Sequence, residues 1–324
     1  MGIIFKIQDP YKWTLCPKQR ALESRLGMKL SIVIGTYNQR DILKKALLSY
    51  DEQTCDPSGF EVVVVDSSST DGSAQMAESL TPSYLLRYIV QQNKGKAQAR
   101  NRGVEEATGK IILITDADMI ADPGLVTAHI KAHDEIGRPT CFEGLAYNMA
   151  TLNWPPDLEG LSPQVGHDYP NGKKLGWYYF LTGNISFPRR LFVEFRGFDT
   201  LFQGYGWEDL ELGYRFCKSG VPLIYLKTAI NYHYHVIGAV DDIERNTDKG
   251  RSARLFMAKH PEVATFVGSH PLSKWAYRTF PRDGRLYRLM SQFCHQSTGV
   301  RQRLGVWFLK EHHYWEGLLA DPSK

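Results

Sequence analysis

The stretch SIVIGTYNQRDILKKALLSY at residues 31–50 decides the fold, because it runs from a strand through a polar loop into a helix. The apolar run at 30–34 is typical of a strand that is buried on both faces. Apolar residues then recur at helical spacing, at Ile42, Leu43, Ala46, Leu47 and Tyr50. A strand that leads directly into an amphipathic helix predicts the start of a β-α-β unit.

The same alternation continues to residue 136. The sequence predicts further strands at 61–65, 85–90 and 111–115. It predicts helices between them, then one that begins at Asp122-Pro123. This order predicts an α/β fold with a mostly parallel sheet and helices on both faces.

After residue 140 the regular alternation of predicted strands and helices ends. Residues 150–176 are rich in Pro, Gly and Asn, which is typical of a long functional loop. The second block contains predicted strands at 184–187, 222–226 and 231–236, and a helix at 207–219. We therefore expect an N-terminal extension at 1–28, a catalytic domain at 29–245 with halves 29–140 and 141–245, and a mainly helical, basic C-terminal extension at 246–324.

Composition excludes several classes of protein. The net charge of +4 over 324 residues is too small for a nucleic-acid binder. Five scattered cysteines without CxxC spacing indicate reduced thiols and argue against a disulfide framework or zinc site. No apolar run of about 18 residues and no signal-peptide core are seen, so we expect a cytoplasmic protein.

Polar segments follow three predicted strands at the point where each strand ends. These segments are Thr36-Tyr37-Asn38, Asp66 to Gly72, and Asp116-Ala117-Asp118. Open α/β sheets bind ligands at this edge. Two carboxylates at a strand end can hold Mg²⁺ or Mn²⁺ together with substrate phosphate oxygens. For Asp71, helix capping explains the residue as well as ligand binding does.

These motifs resemble those of family 2 glycosyltransferases. The resemblance lies in SIVIGTYNQRDILKKALLSY, VVVVDSSSTDGS, NKGKAQARNRG and ILITDADM, within residues 29–120. It implies a Rossmann-like GT-A fold and a nucleotide-sugar donor, with uridine diphosphate as the expected nucleotide. It places Thr36, Tyr37, Asn38 and Asp66 at the nucleoside, Lys96 and Arg100 at the diphosphate or sugar, and Asp116, Ala117 and Asp118 in the DXD metal motif.

A second resemblance covers residues 183–220. GNISFPRRLFVEFRGFD and GYGWEDLELGYRFCKSG are similar to chondroitin-polymerase, galactosyltransferase and polypeptide N-acetylgalactosaminyltransferase domains. It implies that Asn184, Trp207 and Glu208 bind the acceptor. It also implies that Asp209 is the general base of an inverting transfer, with Glu208 beside it in the catalytic pair. This chain has Trp directly before Glu, where many relatives have two intervening glycines, so the acceptor wall differs. Retaining relatives share a similar Glu-Asp segment.

The segment Tyr232-His233-Tyr234-His235 places two imidazoles on one face of a predicted strand. Relatives supply a histidine to the metal at this position, and either His233 or His235 could be that ligand here. Mixed carboxylate and imidazole ligation with Asp118 favours Mn²⁺ over Mg²⁺.

We therefore expect a metal-dependent glycosyltransferase that uses a hydroxyl acceptor on a carbohydrate, peptide or lipid-linked molecule. A nucleotidyltransferase shares strand-end carboxylates and a metal, but such enzymes usually have a Gly-rich loop, which GTYNQR is not. A glycoside hydrolase also uses two carboxylates, and would need no nucleotide pocket. A catalytically inactive carbohydrate- or nucleotide-binding module is a third alternative.

The C-terminal extension carries a further hypothesis. Basic residues at 282, 285, 288, 301, 303 and 310 interleave with apolar residues between 286 and 308. A basic amphipathic helix can lie on an anionic membrane, which would make the protein peripheral. The alternative is a helical cap whose basic face is solvated.

Overall fold

A computed structural model describes residues 3–7, 27–152, 154–156, 161–163, 169–234, 239–267, 271–282 and 284–320. Among these residues, eleven strands form one sheet. The strands are β1 (Ile3–Ile7), β2 (Leu30–Thr36), β3 (Phe60–Asp66), β4 (Leu85–Val90), β5 (Ile111–Asp116), β6 (Met119–Ala121), β7 (Cys141–Met149), β8 (Leu161–Pro163), β9 (Lys174–Leu175), β10 (Ile185–Pro188) and β11 (Leu223–His233).

Helices connect and cover these strands. They are α1 (Arg40–Ser49), α2 (Ser73–Glu78), α3 (Lys96–Glu106), α4 (Leu125–Ile136), α5 (Arg189–Glu194), α6 (Glu208–Lys218), α7 (Ala239–Lys259), α8 (Ala264–Val267), α9 (Pro271–Thr279), α10 (Arg285–Gln296) and α11 (Gly299–Leu319). Short 3₁₀ turns lie at Tyr50–Glu52, Pro57–Gly59, Trp177–Tyr179 and Pro261–Val263. None of the described helices is long and apolar enough to cross a membrane.

The first part of the sheet is parallel, as the sequence predicts. Its strand order is β1-β4-β3-β2-β5, and every pair in it is parallel. All seven residues of β3 are buried, because apolar clusters cover both faces. The register pairs Thr36 with Asp66 and Gly35 with Asp116. The predicted donor residues after these strands therefore meet at one edge.

The second part of the sheet mixes directions. Strand β10 is antiparallel to both β5 and β7, and β6 is antiparallel to β11. The predicted strands at 222–226 and 231–236 are one strand, β11, whose pairing with β7 shifts register between Leu226 and Ile230. Such an irregularity inserts extra residues without ending the ladder, so the sequence shows a break where the structure has none.

The extension at 1–28 also contains a strand. Residues 3–7 pair in parallel with β4 and form an edge of the sheet. Short strands also lie within the predicted loop at 150–176, at β8 and β9. Segments of two to five residues have too little periodicity to be recognised, and their partners lie far away in the chain.

The chain divides into two compact units. The first comprises residues 1–200 and 209–235, and the second comprises 201–208 and 236–324. Within the second unit, α7 and α11 approach closely at Gly250 and Gly317, where a Cβ would meet the backbone of the facing helix. The C-terminal region is therefore mainly helical, as the sequence predicts. The second unit is larger than the predicted extension, because it also includes residues 201–208 and 236–245.

Candidate active site

The carboxylate of Asp66 is held rigidly at the end of β3. It is 1% exposed and accepts hydrogen bonds from the Ser69 backbone N–H at 3.0 Å and from the Ser69 hydroxyl. Its second oxygen accepts from the Tyr88 hydroxyl at 2.9 Å. Burial and then the charge of Asp66 raise the pKa of Tyr88, so this phenol remains a donor.

The loops that follow β2 and β3 are tied together. The Asn38 N–H donates to the Ser69 hydroxyl at 2.8 Å, and the Asn38 side-chain oxygen accepts from Thr70 N–H at 2.8 Å. Tyr37, directly before Asn38 in the chain, is 50% exposed and offers an aromatic ring. The Thr36 hydroxyl is buried and has no hydrogen-bond partner among the described residues. The residues predicted to bind the nucleoside, at 36–38 and 66, therefore lie close together at the carboxyl-terminal ends of β2 and β3.

Asp71 has a structural role in this arrangement. One of its oxygens accepts from the Arg40 N–H at the start of α1, at 2.8 Å. The other accepts from the Ser73 N–H and hydroxyl at the start of α2. Both are helix-capping bonds, which supports the capping interpretation for Asp71.

Lys96 and Arg100 lie one turn apart on α3. Lys96 is the exposed first residue of this helix, so a positive side chain stands at a helix N-terminus, where anions are favoured. Arg100 is only 2% exposed, and its guanidinium lies 3.0 Å from the Asp116 carboxylate. Arg100 therefore fixes the Asp116 carboxylate, a role the sequence does not reveal.

Asp116, Ala117 and Asp118 connect β5 to the short strand β6. Ala117 is buried in the core, while Asp116 remains partly exposed. The Asp118 backbone oxygen accepts from Tyr234 N–H at 2.9 Å, which ties the motif to the end of β11. As a result, the Asp118 carboxylate lies 3.6 Å from His233 Nε2. The structure thus brings the predicted pair Asp118 and His233 together; His235 lies outside the described residues.

The contacts of His233 test whether this pair fits a metal. Its Nδ1 lies 3.2 Å from the side-chain oxygen of Asn148, which accepts a hydrogen bond only if Nδ1 carries the proton. In the neutral imidazole with the proton on Nδ1, the Nε2 lone pair faces the Asp118 carboxylate, and two acceptors 3.6 Å apart can share a cation. A second group that orients a ligating imidazole is common at metal centres. Asn148 has no sequence signal that marks it, because its position depends on the β7–β11 pairing.

Two protein ligands suit a particular class of metal. Within the described ranges, no group of three or more His, Cys, Asp or Glu side chains is arranged to hold an ion. Mg²⁺ and Mn²⁺ at phosphate-transfer sites commonly take one or two carboxylates and complete their shell with phosphate and water oxygens. The residues present therefore fit an ion that is shared with a diphosphate.

Asp209 lies in the first turn of α6 and is half-buried. One of its oxygens accepts from Leu210 N–H at 2.8 Å. The nearby Glu143 on β7 is buried and accepts from Leu181 N–H at 3.2 Å. Burial, and additionally the charge of Asp209, raises the pKa of Glu143 well above its usual value. Sequence analysis missed Glu143, although an acid inside the apolar run CFEGLAY was a usable signal.

Trp207 and Glu208 belong to the second unit. The Trp207 backbone has φ of +71°, in the region that non-glycine residues rarely adopt. Its ring centroid lies 5.9 Å from that of Phe256 on α7. Glu208 is 5% exposed. The ring contact with Phe256 and the burial of Glu208 hold in place the segment for which the resemblance implies acceptor binding.

Asn184 does not fit its predicted acceptor role. It is 1% exposed, and its side-chain nitrogen donates to the backbone oxygens of Leu145 and Ala229. Its side-chain oxygen lies 2.9 Å from His129 Nε2, which must therefore carry a proton. All the polar atoms of this side chain thus bond to the protein interior, and Asn184 joins β7 and β11 to α4 instead of facing an acceptor.

The hydrogen bond between Asn184 and His129 is the first in a buried chain of hydrogen bonds that continues through Ser186 to His133, which we call the histidine relay. His129 Nδ1 accepts from the Ser186 hydroxyl at 2.8 Å, and His133 Nε2 donates to the same hydroxyl at 2.9 Å. Burial lowers the pKa of His129 to about 4. Burial and then His129 lower the pKa of His133 to about 3. Both imidazoles are therefore neutral near pH 7.

Comparison with known proteins shows which families this chain resembles. Residues 31–194 match the model described as glycosyl transferase family 2, and residues 166–237 match the one described as N-terminal domain of galactosyltransferase. An uncharacterized glycosyltransferase, YfnE of Bacillus subtilis, is 28% identical over 272 residues, 68% of this chain and 69% of that protein. The validoxylamine A glucosyltransferase of Streptomyces hygroscopicus subsp. limoneus is 31% identical over 60% of this chain, which spans 49% of that relative's length.

Solved structures share the fold at low sequence identity. TarS 1-349 of S. aureus in complex with UDP-GlcNAc has a TM-score of 0.58 and 15% identity, over 90% of each chain. The mannosyltransferase PcManGT of Pyrobaculum calidifontis, in complex with GDP-Man and Mn²⁺, has a TM-score of 0.56 and 16% identity, over 93% of each chain. Because a family match spans half of the sequence and these neighbours share its GT-A fold, the chain belongs to glycosyl transferase family 2 and is a glycosyltransferase.

Proposed function

We propose that this glycosyltransferase transfers a sugar from a uridine diphosphate donor to a hydroxyl group on a carbohydrate, peptide or lipid-linked acceptor, with a divalent cation. The observation that carries the proposal is the Asp118 carboxylate facing His233 Nε2 at 3.6 Å. Around it, Asp66 and Tyr37 suit a nucleoside, and Lys96 suits a diphosphate. Neighbours of the same fold in complex with UDP-GlcNAc, or with GDP-Man and Mn²⁺, support it.

Each residue of the donor edge has a role in this proposal. Asp118 and His233 would hold Mn²⁺ or Mg²⁺, which would supply positive charge to the departing diphosphate. Lys96 contributes charge at the N-terminus of α3. Arg100 positions Asp116, and Asp66 accepts hydrogen bonds from the base while Tyr37 packs against it. Tying the two loops through Asn38 lowers the entropy lost on binding.

Asp209 is the base in the proposed transfer. Its carboxylate takes the proton of the acceptor hydroxyl while the hydroxyl oxygen bonds to the anomeric carbon and the nucleoside diphosphate departs, which inverts the configuration. An aspartate has an ordinary pKa of about 3.9 and is ionised at neutral pH. Burial and the charge of Asp209 raise the pKa of Glu143, so Glu143 ionises less readily than an ordinary glutamate beside this base. Glu208 and Trp207, directly before it in the chain, bind the acceptor.

Thermal unfolding with a panel of nucleotide sugars tests the donor and the metal. A donor at a hundredfold excess over its Kd stabilises the folded state by about 2.7 kcal/mol. We expect this shift with a uridine diphosphate sugar and Mn²⁺, and its loss with a chelator or in Asp118→Asn. Asp134→Asn, on an exposed residue of α4, is the matched control and should keep it. A full shift for Asp118→Asn in the presence of chelator would exclude the metal.

Turnover tests the base. General-base catalysis contributes about a hundred- to ten-thousandfold, so Asp209→Asn should lower kcat by that factor while donor affinity stays unchanged. NMR of the anomeric proton of the product reports the stereochemistry. Retained configuration, or a kcat near that of the wild type, would refute the assignment of Asp209.

A further inference from the structure

A cavity of about 690 Å³ lies at the opposite edge of the sheet from the donor residues. Its wall includes Lys29 and Ile111, at the amino-terminal ends of β2 and β5, whereas Asp66 and Asp116 lie at carboxyl-terminal ends. A strand of seven residues is about 20 Å long. The cavity is therefore separate from the donor edge.

The lining of this cavity is strongly basic. One acidic side chain, Asp134, faces five cationic ones, which are Lys29, Lys110, Arg138, Arg189 and Arg190. This excess equals the net charge of +4 of the whole chain. The cations come from separate segments, namely the start of β2, the turn before β5, the loop after α4 and the start of α5. The fold thus gathers charge that is scattered along the sequence.

Most of this charge is not neutralised by the protein. Lys29 lies 3.8 Å from Asp134, but both side chains are about 60% exposed, so the pair is weak. Lys110, Arg138 and Arg190 are exposed, and in the part of the chain that the structure describes they form no ion pair. His133 also lines the cavity, but it is neutral and donates to Ser186. Positive charges that surround one cavity without ion-pair partners repel each other, and this repulsion favours the binding of an anion in the cavity.

Both the cations and the remaining wall indicate the chemical class of the anion. The planar guanidinium of arginine matches phosphate with two parallel hydrogen bonds, and lysine adds point charge. Pro139, Pro188 and Val193 supply apolar surface, and Val193 is 66% exposed. A volume of this size is typical of small-molecule sites. This lining suits a ligand that has both a phosphate and an organic group.

We propose that this cavity, lined by Arg138, Arg189 and Arg190 with Lys29 and Lys110, binds a phosphate ester. The ester is either a free small molecule or the headgroup of a lipid. Binding here requires neither donor nor divalent cation, so the proposal does not depend on the activity assigned to the other edge.

Calorimetric titration with glycerol phosphate, at low salt and with a chelator present, tests the site. The charge reversal Arg138→Glu/Arg190→Glu should weaken binding at least tenfold, equal to about 1.4 kcal/mol. The neutral variant Arg138→Gln/Arg190→Gln should weaken binding of glycerol phosphate less than the charge reversal does. It provides a second measurement of the site if the charge-reversed protein fails to fold. Lys44→Glu/Lys45→Glu, which changes net charge equally at exposed positions on α1, should leave affinity within about twofold, because these residues lie outside the cavity.

Vesicles distinguish the two sources of the phosphate. Co-sedimentation with phosphatidic acid vesicles that Arg138→Glu/Arg190→Glu abolishes indicates a lipid headgroup. Binding of glycerol phosphate, together with vesicle binding that is absent or that Arg138→Glu/Arg190→Glu leaves unchanged, indicates a free ester. Equal losses in the two charge-reversed pairs, or no binding of glycerol phosphate and vesicles by the wild type, would overturn the proposal.

Discussion

Lowering the pH from 7 to 5 should destabilise the first unit through the relay of His129 and His133. Burial holds the pKa values of these imidazoles at about 4 and about 3, against an ordinary value of 6.5. Below pH 6.5 the unfolded chain binds protons at both residues, whereas the folded protein does not. The free energy of unfolding therefore falls as the pH decreases, until the folded pKa values are reached.

The magnitude follows from these values. Each imidazole lowers the free energy of unfolding by about 2 kcal/mol between pH 7 and pH 5, so the two together lower it by about 4 kcal/mol. Glu143 acts in the opposite direction, because its raised pKa makes the folded state bind a proton more readily than the unfolded chain. The contribution of the two histidines is therefore measured by comparing the change in the free energy of unfolding between pH 7 and pH 5 in the variants with that in the wild type.

Urea unfolding at several pH values measures this effect. His129→Gln and His133→Gln should each be less stable than the wild type at pH 7, since each loses a buried hydrogen bond. Each should also lose about 2 kcal/mol less between pH 7 and pH 5. Lys131→Gln, at an exposed position of the same helix, should keep the wild-type dependence. A dependence on pH that is the same in both histidine variants and the wild type would refute the argument.

Three further predictions concern other parts of the chain. Glu208→Gln should raise the acceptor KM more than it lowers kcat in steady-state kinetics, and an unchanged KM would remove Glu208 from the acceptor site. Gly103→Ala should lower the free energy of unfolding in urea by about 1–3 kcal/mol, because the new Cβ meets Val33 in the core; unaltered stability would contradict this contact. The basic helices α10 and α11 should co-sediment with anionic vesicles in a salt-sensitive manner that Arg301→Glu/Arg303→Glu removes, and absence of binding at low salt leaves a helical cap with a solvated basic face.

The sequence predicts the parallel half of the fold well because each central strand is a long apolar run followed by a helix. Strands β2, β3 and β5 have this form, and the edge where they end is therefore predictable. The resemblance to known glycosyltransferases implies a histidine beside Asp118, and His233 Nε2 lies 3.6 Å from that carboxylate. The role of the pair as metal ligands stays a prediction.

The remaining features depend on contacts between distant segments. Strands β1 and β6 are too short for a periodic signal, and their pairing is decided by the partners β4 and β11. The orientation of His233 by Asn148 depends on the register between β7 and β11. The resemblance implies that Asn184 binds the acceptor, but in the structure the helix that carries His129 provides its partner. No local pattern contains this information.

The position of β1 has a practical consequence for anyone shortening the protein. The sequence predicts that the catalytic domain begins at residue 29, yet residues 3–7 pair along one side of β4. Without them, the N–H and C=O groups along the uncovered side of Leu85–Val90 would be open to pairing with another chain, and this strand is rich in apolar residues. A shortened protein that begins at Met28 should keep its donor site but self-associate at high concentration, whereas one that keeps residues 1–28 should stay dispersed.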